Sequence, residues 1–234
     1  MTRPARKPPP QTRKERAQGT RQRMVEAAHA TFCELGYGRT TMAEVARRAG
    51  VAVQTTFFTF HTKAALLTEV VLAAAGGPEA RTPVMERPWM KEALSTSDGQ
   101  RALALIVEHG TEIFRRMAPL WGAMVTAASE DPEFAQRFAD IVASRHRGMR
   151  AFFGAMAQKS ALAPGVTGDH AADSFFLMQN PQVLAMATTT LGWDVETFKA
   201  WSFASQLPLM ASQRWNPSRT HDLSFHRALK RFVG

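Results

Sequence analysis

The stretch GYGRTTMAEVARRAGVAVQTTFFTFHTK, residues 36–63, constrains the fold of this chain more than any other. Thr41-Met42-Ala43-Glu44 fits a capping box, in which a Thr hydroxyl and a Glu carboxylate satisfy amides left unpaired at a helix start. Met42, Val45, Ala46 and Ala49 then recur on one helical face. Gly50 follows where a sharp turn needs positive φ, which glycine adopts without a Cβ clash. A second short helix, about Ala52 to Thr59, completes the pattern. Helix, tight turn and short helix inside a basic segment form the grammar of a helix-turn-helix that reads DNA.

The charge distribution points the same way. Residues 1–63 hold 12 Lys+Arg against 4 Asp+Glu, whereas residues 64–234 hold 17 against 16, so nearly all of the net charge of +9 lies beside the helix-turn-helix. Such a surplus is the electrostatic footprint of a phosphate-binding surface, although basic tails also serve solubility alone. The single cysteine, Cys33, excludes an internal disulfide, and its place beside Phe32 on a helical pattern reads as a buried structural thiol. The N-terminus is basic and Pro-rich with no apolar core of a signal peptide. The longest uncharged stretch, Ser174 to Trp193, carries Gln179, Asn180, Pro181 and Gln182, which a bilayer would penalise. A soluble, cytoplasmic protein is expected.

Periodicity predicts an all-α chain, with no alternating strand pattern of useful length. Residues 1–19, with Pro8, Pro9, Pro10 and six basic residues, read as a disordered basic arm, either a solvated tail or a minor-groove contact. The first helix is expected from Thr20 to Leu35 on the face of Val25, Ala28, Phe32 and Leu35, with Gly36 as a left-handed cap. The domains expected are the helix-turn-helix at 20–63, a connecting helix at 64–77, a Pro-containing linker at 78–97 and a helical body at 98–234. Within the body, a long helix from about Pro132 to Lys159 is striped by Phe134, Phe138, Ile141, Met149, Phe152 and Met156. Asn180-Pro181 and Asp194 read as helix starts, and Pro208 as an interruption.

No Gly-Lys-Ser phosphate loop, Gly-x-Ser-x-Gly elbow, His-Glu-x-x-His or paired cysteine occurs, so no enzyme, catalytic residue or cofactor is expected. His109 and Glu112 share a helix face but lack a third metal ligand, and no metal site is expected.

The segment from about Arg23 to Val70 resembles the TetR/AcrR family of bacterial transcription regulators. The resemblance rests on Glu34-Leu35-Gly36-Tyr37, Thr40-Thr41, Ala49-Gly50-Val51, Phe57-Phe58-x-Phe60, and Lys63 followed by Leu66-Leu67. Leu191-Gly192-Trp193-Asp194 with Phe198 and Trp201 extends it more loosely. The resemblance implies a three-helix DNA-binding head joined to a larger body for ligand binding and dimerisation. Val53, Gln54 and Thr55 fall where such proteins meet base edges. Thr40, Thr41, Phe57, Phe58 and Lys63 fall where phosphate and sugar contacts are usual. Three residues depart from the family pattern: Ala52 replaces a capping Ser, Phe57 a Tyr, and Gln54 a small residue. A glutamine there can pair bidentately with adenine.

The body is expected to bind a small apolar or amphipathic organic effector that releases the protein, acting as a repressor, from a palindromic operator. His109, Phe114, Met117, Trp121, Met124, Phe152, Met156 and Gln179 are the candidate lining, with Phe153, Met178, Glu112 and His146 as further possibilities; core or surface duty is the alternative for each. One short recognition helix reads few base pairs, so a homodimer is expected. The residues offered for its interface are Ala172, Phe175, Phe176, Phe198, Trp201 and Phe203. The alternative function is a DNA-binding protein regulated by a protein partner.

Overall fold

The computed structural model describes residues 12–79, 82–211 and 214–233. Twelve α-helices follow one another among the described residues: α1 Arg13–Arg39, α2 Met42–Ala49, α3 Val53–Phe60, α4 Lys63–Gly76, α5 Pro88–Ser95, α6 Gly99–Met117, α7 Trp121–Glu130, α8 Pro132–Gln158, α9 Gly168–Met178, α10 Pro181–Thr189, α11 Val195–Gln206 and α12 His226–Leu229. No strand is present among them, only an isolated antiparallel bridge between Leu162 and Met210. The fold is all-α, as the periodicity predicts.

Three local expectations are corrected. The first helix begins at Arg13 and not Thr20, because Thr12 and Glu15 form a reciprocal box: the Glu15 amide donates to Thr12 Oγ1 at 3.2 Å and the Thr12 amide to Glu15 Oε2 at 2.7 Å. Arg13, Lys14 and Arg16 therefore stand on a helix with the rest of 13–19, while residues 1–11 of the expected arm lie outside the described residues. Gly36 has φ 72° but ψ 179°, so it kinks α1 instead of capping it, and one more turn runs on to Arg39. The stretch expected as a linker holds α5, opened by Pro88 at its first position and anchored by buried Met90 and Ala93. Farther on, α11 stops at Gln206, and Pro208 lies in a 3-10 turn at Leu207–Leu209.

Two large apolar cores result, with a small third cluster of Phe114, Leu184, Ala187 and Phe198. The front core joins the inward faces of α1 to α4, through Met24, Phe32, Val45, Leu67 and Val71, to Met117, Leu120 and Met124 around α7 and to Phe134 of α8. The rear core packs α5 and α6 against Phe152, Phe153 and Met156 of α8, with Phe175, Phe203, Phe225 and Leu229. Cys33 is exposed, contrary to the expected buried thiol, because its position lies round the helix from Phe32 and faces outward.

Polar contacts fasten the first four helices to the rest. Tyr37 is buried and its hydroxyl donates to Asp131 Oδ2, on the residue that caps α8. Thr62 Oγ1 donates to Glu133 Oε1 at 3.0 Å. At the far end of α4, Arg116 of α6 donates to the Ala74 and Ala75 carbonyls, each at 3.0 Å. These carbonyls belong to the last turn of a helix, whose acceptors have no partner within it. Burial and the bond to Asp131 push the Tyr37 pKa well above the usual range, and the same bond lowers that of Asp131.

Candidate DNA-reading face and internal cavity

The turn between α2 and α3 is built as its residues dictate. Thr41 Oγ1 accepts the Glu44 amide at 3.1 Å. The Glu44 carboxylate does not complete the expected box but pairs with Arg47 at 2.8 Å and Arg48 at 2.6 Å. Gly50 takes φ 65°, ψ 41° and ends α2, where a Cβ would add strain. No side chain caps the start of α3 at Ala52.

On α3, Thr56 and Phe60 face the core, and Val53, Gln54, Phe57 and Phe58 face outward, with Thr55 half-buried. Phe58 is 84% exposed and Phe57 48%. Large rings are seldom left so bare on a monomer surface, and such a patch marks a contact face. Two of the three remaining candidates for phosphate contact, Thr40 and Lys63, are turned inward. Thr40 is buried, donating its hydroxyl to the Gly36 carbonyl at 2.6 Å and its amide to the Tyr37 carbonyl at 3.2 Å. Lys63 donates to the Tyr37 carbonyl at 3.0 Å and stands 4.0 Å over that ring. Thr41 stays exposed, with its hydroxyl accepting from the α2 start.

The joint between α3 and α4 is tight. His61 adopts φ 64°, ψ −53°, and the Thr62 amide reaches back to the Phe60 carbonyl at 2.7 Å, which closes a three-residue γ-turn. This positive-φ form is rare and strained. The two helices meet at a bend of 74°. Among the described residues no single helix is long and apolar enough to cross a membrane.

Between the front and rear cores lies a cavity of about 680 Å³. Val71, Leu72 and Ala75 of α4 form one wall, α6 gives Ile106, Ile113, Phe114 and Met117, and Trp121, Phe138, Ile141 and Met149 come from α7 and α8. Phe175, Phe176, Leu177 and Gln179 close the α9 side. Of the expected lining, Phe114, Met117, Trp121 and Gln179 are here. Four others are elsewhere. Met124 is fully buried in the front core, and Phe152 and Met156 in the rear core, because their helix faces turn toward neighbouring helices. His109 stacks on Trp89 with ring centroids 4.7 Å apart, beside an outer hollow shared with Glu92, Arg101 and His221. Burial lowers its pKa.

Phe153 packs in the rear core, and Glu112 is held by Lys199 at 2.9 Å and Arg115 at 2.7 Å. His146 pairs with Asp173 at 2.6 Å behind Phe176. Among the described residues no group of three or more His, Cys, Asp or Glu could hold a metal ion.

Sequence reasoning passed over Arg145. Its side chain is the one ionisable group on the cavity wall among the described residues. The guanidinium stands 4.9 Å over the Phe114 ring and 4.3 Å over that of Phe176, and donates to the Gln179 carbonyl. Burial lowers its pKa to about 10, which leaves it cationic at neutral pH. Gln179 is itself buried, and its side-chain amide donates to Thr111 at 3.0 Å. The signal was present in the sequence, since Arg145 interrupts the α8 apolar stripe four residues after Ile141 and four before Met149.

Comparison with known proteins accords with this arrangement. No curated protein matches the chain. Residues 24–70 match the family model described as bacterial regulatory proteins, tetR family. Among solved structures, NalD, the secondary repressor of the MexAB-OprM multidrug efflux pump in Pseudomonas aeruginosa, is 17% identical over 83% of this chain and 98% of its own, with a TM-score of 0.59. TylP, a tetR regulator from Streptomyces fradiae, is 22% identical over 92% of this chain and 97% of its own, also at 0.59. SmeT in complex with triclosan is 19% identical over 81% and 90%, at 0.61. The helix-turn-helix thus matches the model of bacterial regulatory proteins of the tetR family over residues 24–70, and the chain shares its helical fold with these solved structures over most of its length.

Proposed function

We propose that this DNA-binding regulator is a repressor that grips a palindromic operator as a homodimer and lets go when a small apolar or amphipathic effector fills the cavity. The observation that carries the reading is the position of α4: its middle forms a wall of the cavity, and its first residue follows the recognition helix across the two-residue joint at His61 and Thr62. An effector that prefers one placement of α4 shifts the heads by its difference in affinity between the two placements. Triclosan bound to SmeT shows that a protein of similar fold accepts a small aromatic molecule.

The reading face for such a complex is Val53, Gln54, Thr55, Phe57 and Phe58, with Thr41 at its edge. Of the residues expected at a dimer interface, Ala172, Phe175, Phe198 and Phe203 are buried within the subunit, which leaves half-buried Phe176 and Trp201 for it. Leu177, Met186 and Leu191 lie exposed along α9, α10 and the segment that follows, and supply an apolar rim for it. The test is selection of bound DNA sequences by the purified protein, followed by a screen of organic compounds for release. Recovery of a palindromic site and its release by at least one compound is the expected result. A protein that retains no DNA at low salt would overturn the reading.

A further inference from the structure

Arg145 has no carboxylate partner among the described residues, and the only acceptor for its five N–H donors there is the Gln179 carbonyl. Its guanidinium carbon stands over the aromatic rings of Phe114 and Phe176, 4.9 Å and 4.3 Å from their centroids. The guanidinium edge is where bidentate hydrogen bonds to a carboxylate form. Taking a cation out of water without a counter-charge is costly, and such groups are normally paired. Neighbouring charges are already engaged: Asp173 with His146 and Arg150, and Glu112 with Lys199 and Arg115. The remaining wall is almost wholly apolar and aromatic.

We infer that the cavity selects an organic anion, a carboxylate on a bulky apolar or aromatic body, whose charged end pairs with Arg145. This rests on the effector reading above and sharpens it by naming the class of compound. A cationic or neutral compound of the same shape would leave the guanidinium unpaired.

The test uses three fluorescent probes of one shape: pyrenebutyrate, pyrenebutanol and pyrenebutylamine. Their dissociation constants are measured by pyrene emission with the full-length protein and its Arg145→Met and Arg145→Lys variants, each checked for an unchanged melting curve. The acid is expected to bind about 10- to 100-fold more tightly than the alcohol in the parent protein, the range of a charge-assisted pair. The amine is expected to bind more weakly than either. In Arg145→Met the acid loses its advantage and the alcohol keeps its affinity, and in Arg145→Lys the advantage survives in part.

Equal affinity for acid and alcohol in the parent, or an acid preference that persists in Arg145→Met, would overturn the inference. It would leave the cavity as an effector site if either probe still releases DNA. Binding by none of the three would remove the cavity reading and this inference together.

Discussion

The two cores on either side of the cavity differ in what holds them. The front core is bounded by short helices whose starts and stops are fixed locally, by Thr41, Gly50 and Thr62, and a few hydrogen bonds tie it to α8. The helices of the rear core also start at local caps, Asp98, Thr167 and Asp194, but the core they enclose depends on rings from distant segments, Phe153 meeting Phe175 at 5.5 Å and Phe203 meeting Phe225 at 5.8 Å. Local grammar therefore goes further in specifying the helix-turn-helix end, and long-range packing decides the cavity end.

The strongest challenge to that contrast is Phe203→Ala. The ring is fully buried in the rear core, so its removal should cost about 3–5 kcal/mol. Thermal or denaturant unfolding would show it, and a loss confined to the rear would appear as a second transition.

Tyr37→Phe probes the tie between the front core and α8. Loss of a hydrogen bond to an ionised partner should cost about 1.5–3 kcal/mol. The bond also carries a pH signature. The Asp131 pKa is lowered on folding, so its contribution is complete above the unfolded value of about 3.9 and disappears as pH falls through the lower folded value. The Tyr37 pKa is raised, so its contribution is complete below about 10 and fades as pH rises toward the folded value. Stability–pH curves of Tyr37→Phe should be flatter at both ends, and unchanged curves would show that the bond does not hold the two parts together.

Gln54→Ala moves to the reading face. Discrimination among operator bases at one position should fall by about 1–3 kcal/mol, with less change in non-specific binding. Equal losses on cognate and scrambled DNA would mean that Gln54 reads no base.

The smallest effect is expected from Ala52→Ser, which supplies the missing cap of α3 and should add about 0.5–1 kcal/mol. A melting temperature that does not rise would show that α3 is already fixed by Thr56 and Phe60.

How much could be read from the chain beforehand follows the same division. The helix-turn-helix was legible because caps and turns depend on neighbours within a few residues, as at Thr41 and Gly50. The error at Thr40 arose because its hydroxyl is claimed by a carbonyl exposed at the Gly36 kink, a consequence of one residue's ψ. In the body, helix positions were legible, but the partition of apolar residues between core and cavity was not. Met124, Phe152 and Met156 have the same character as Met117 and Trp121, and only the tertiary packing separates them. Arg145 was the exception in principle, since a charged residue on an apolar stripe announces an unusual surrounding.

The clamps on α4 have a mechanical consequence. With Thr62 bonded to Glu133 at one end and Arg116 gripping the last carbonyls at the other, axial sliding would break contacts at both ends. Rolling would unpack Leu66, Leu67, Val70 and Val71 from the front core, so the rod is held as one piece, and the tight elbow at His61 passes any displacement of it directly to α3.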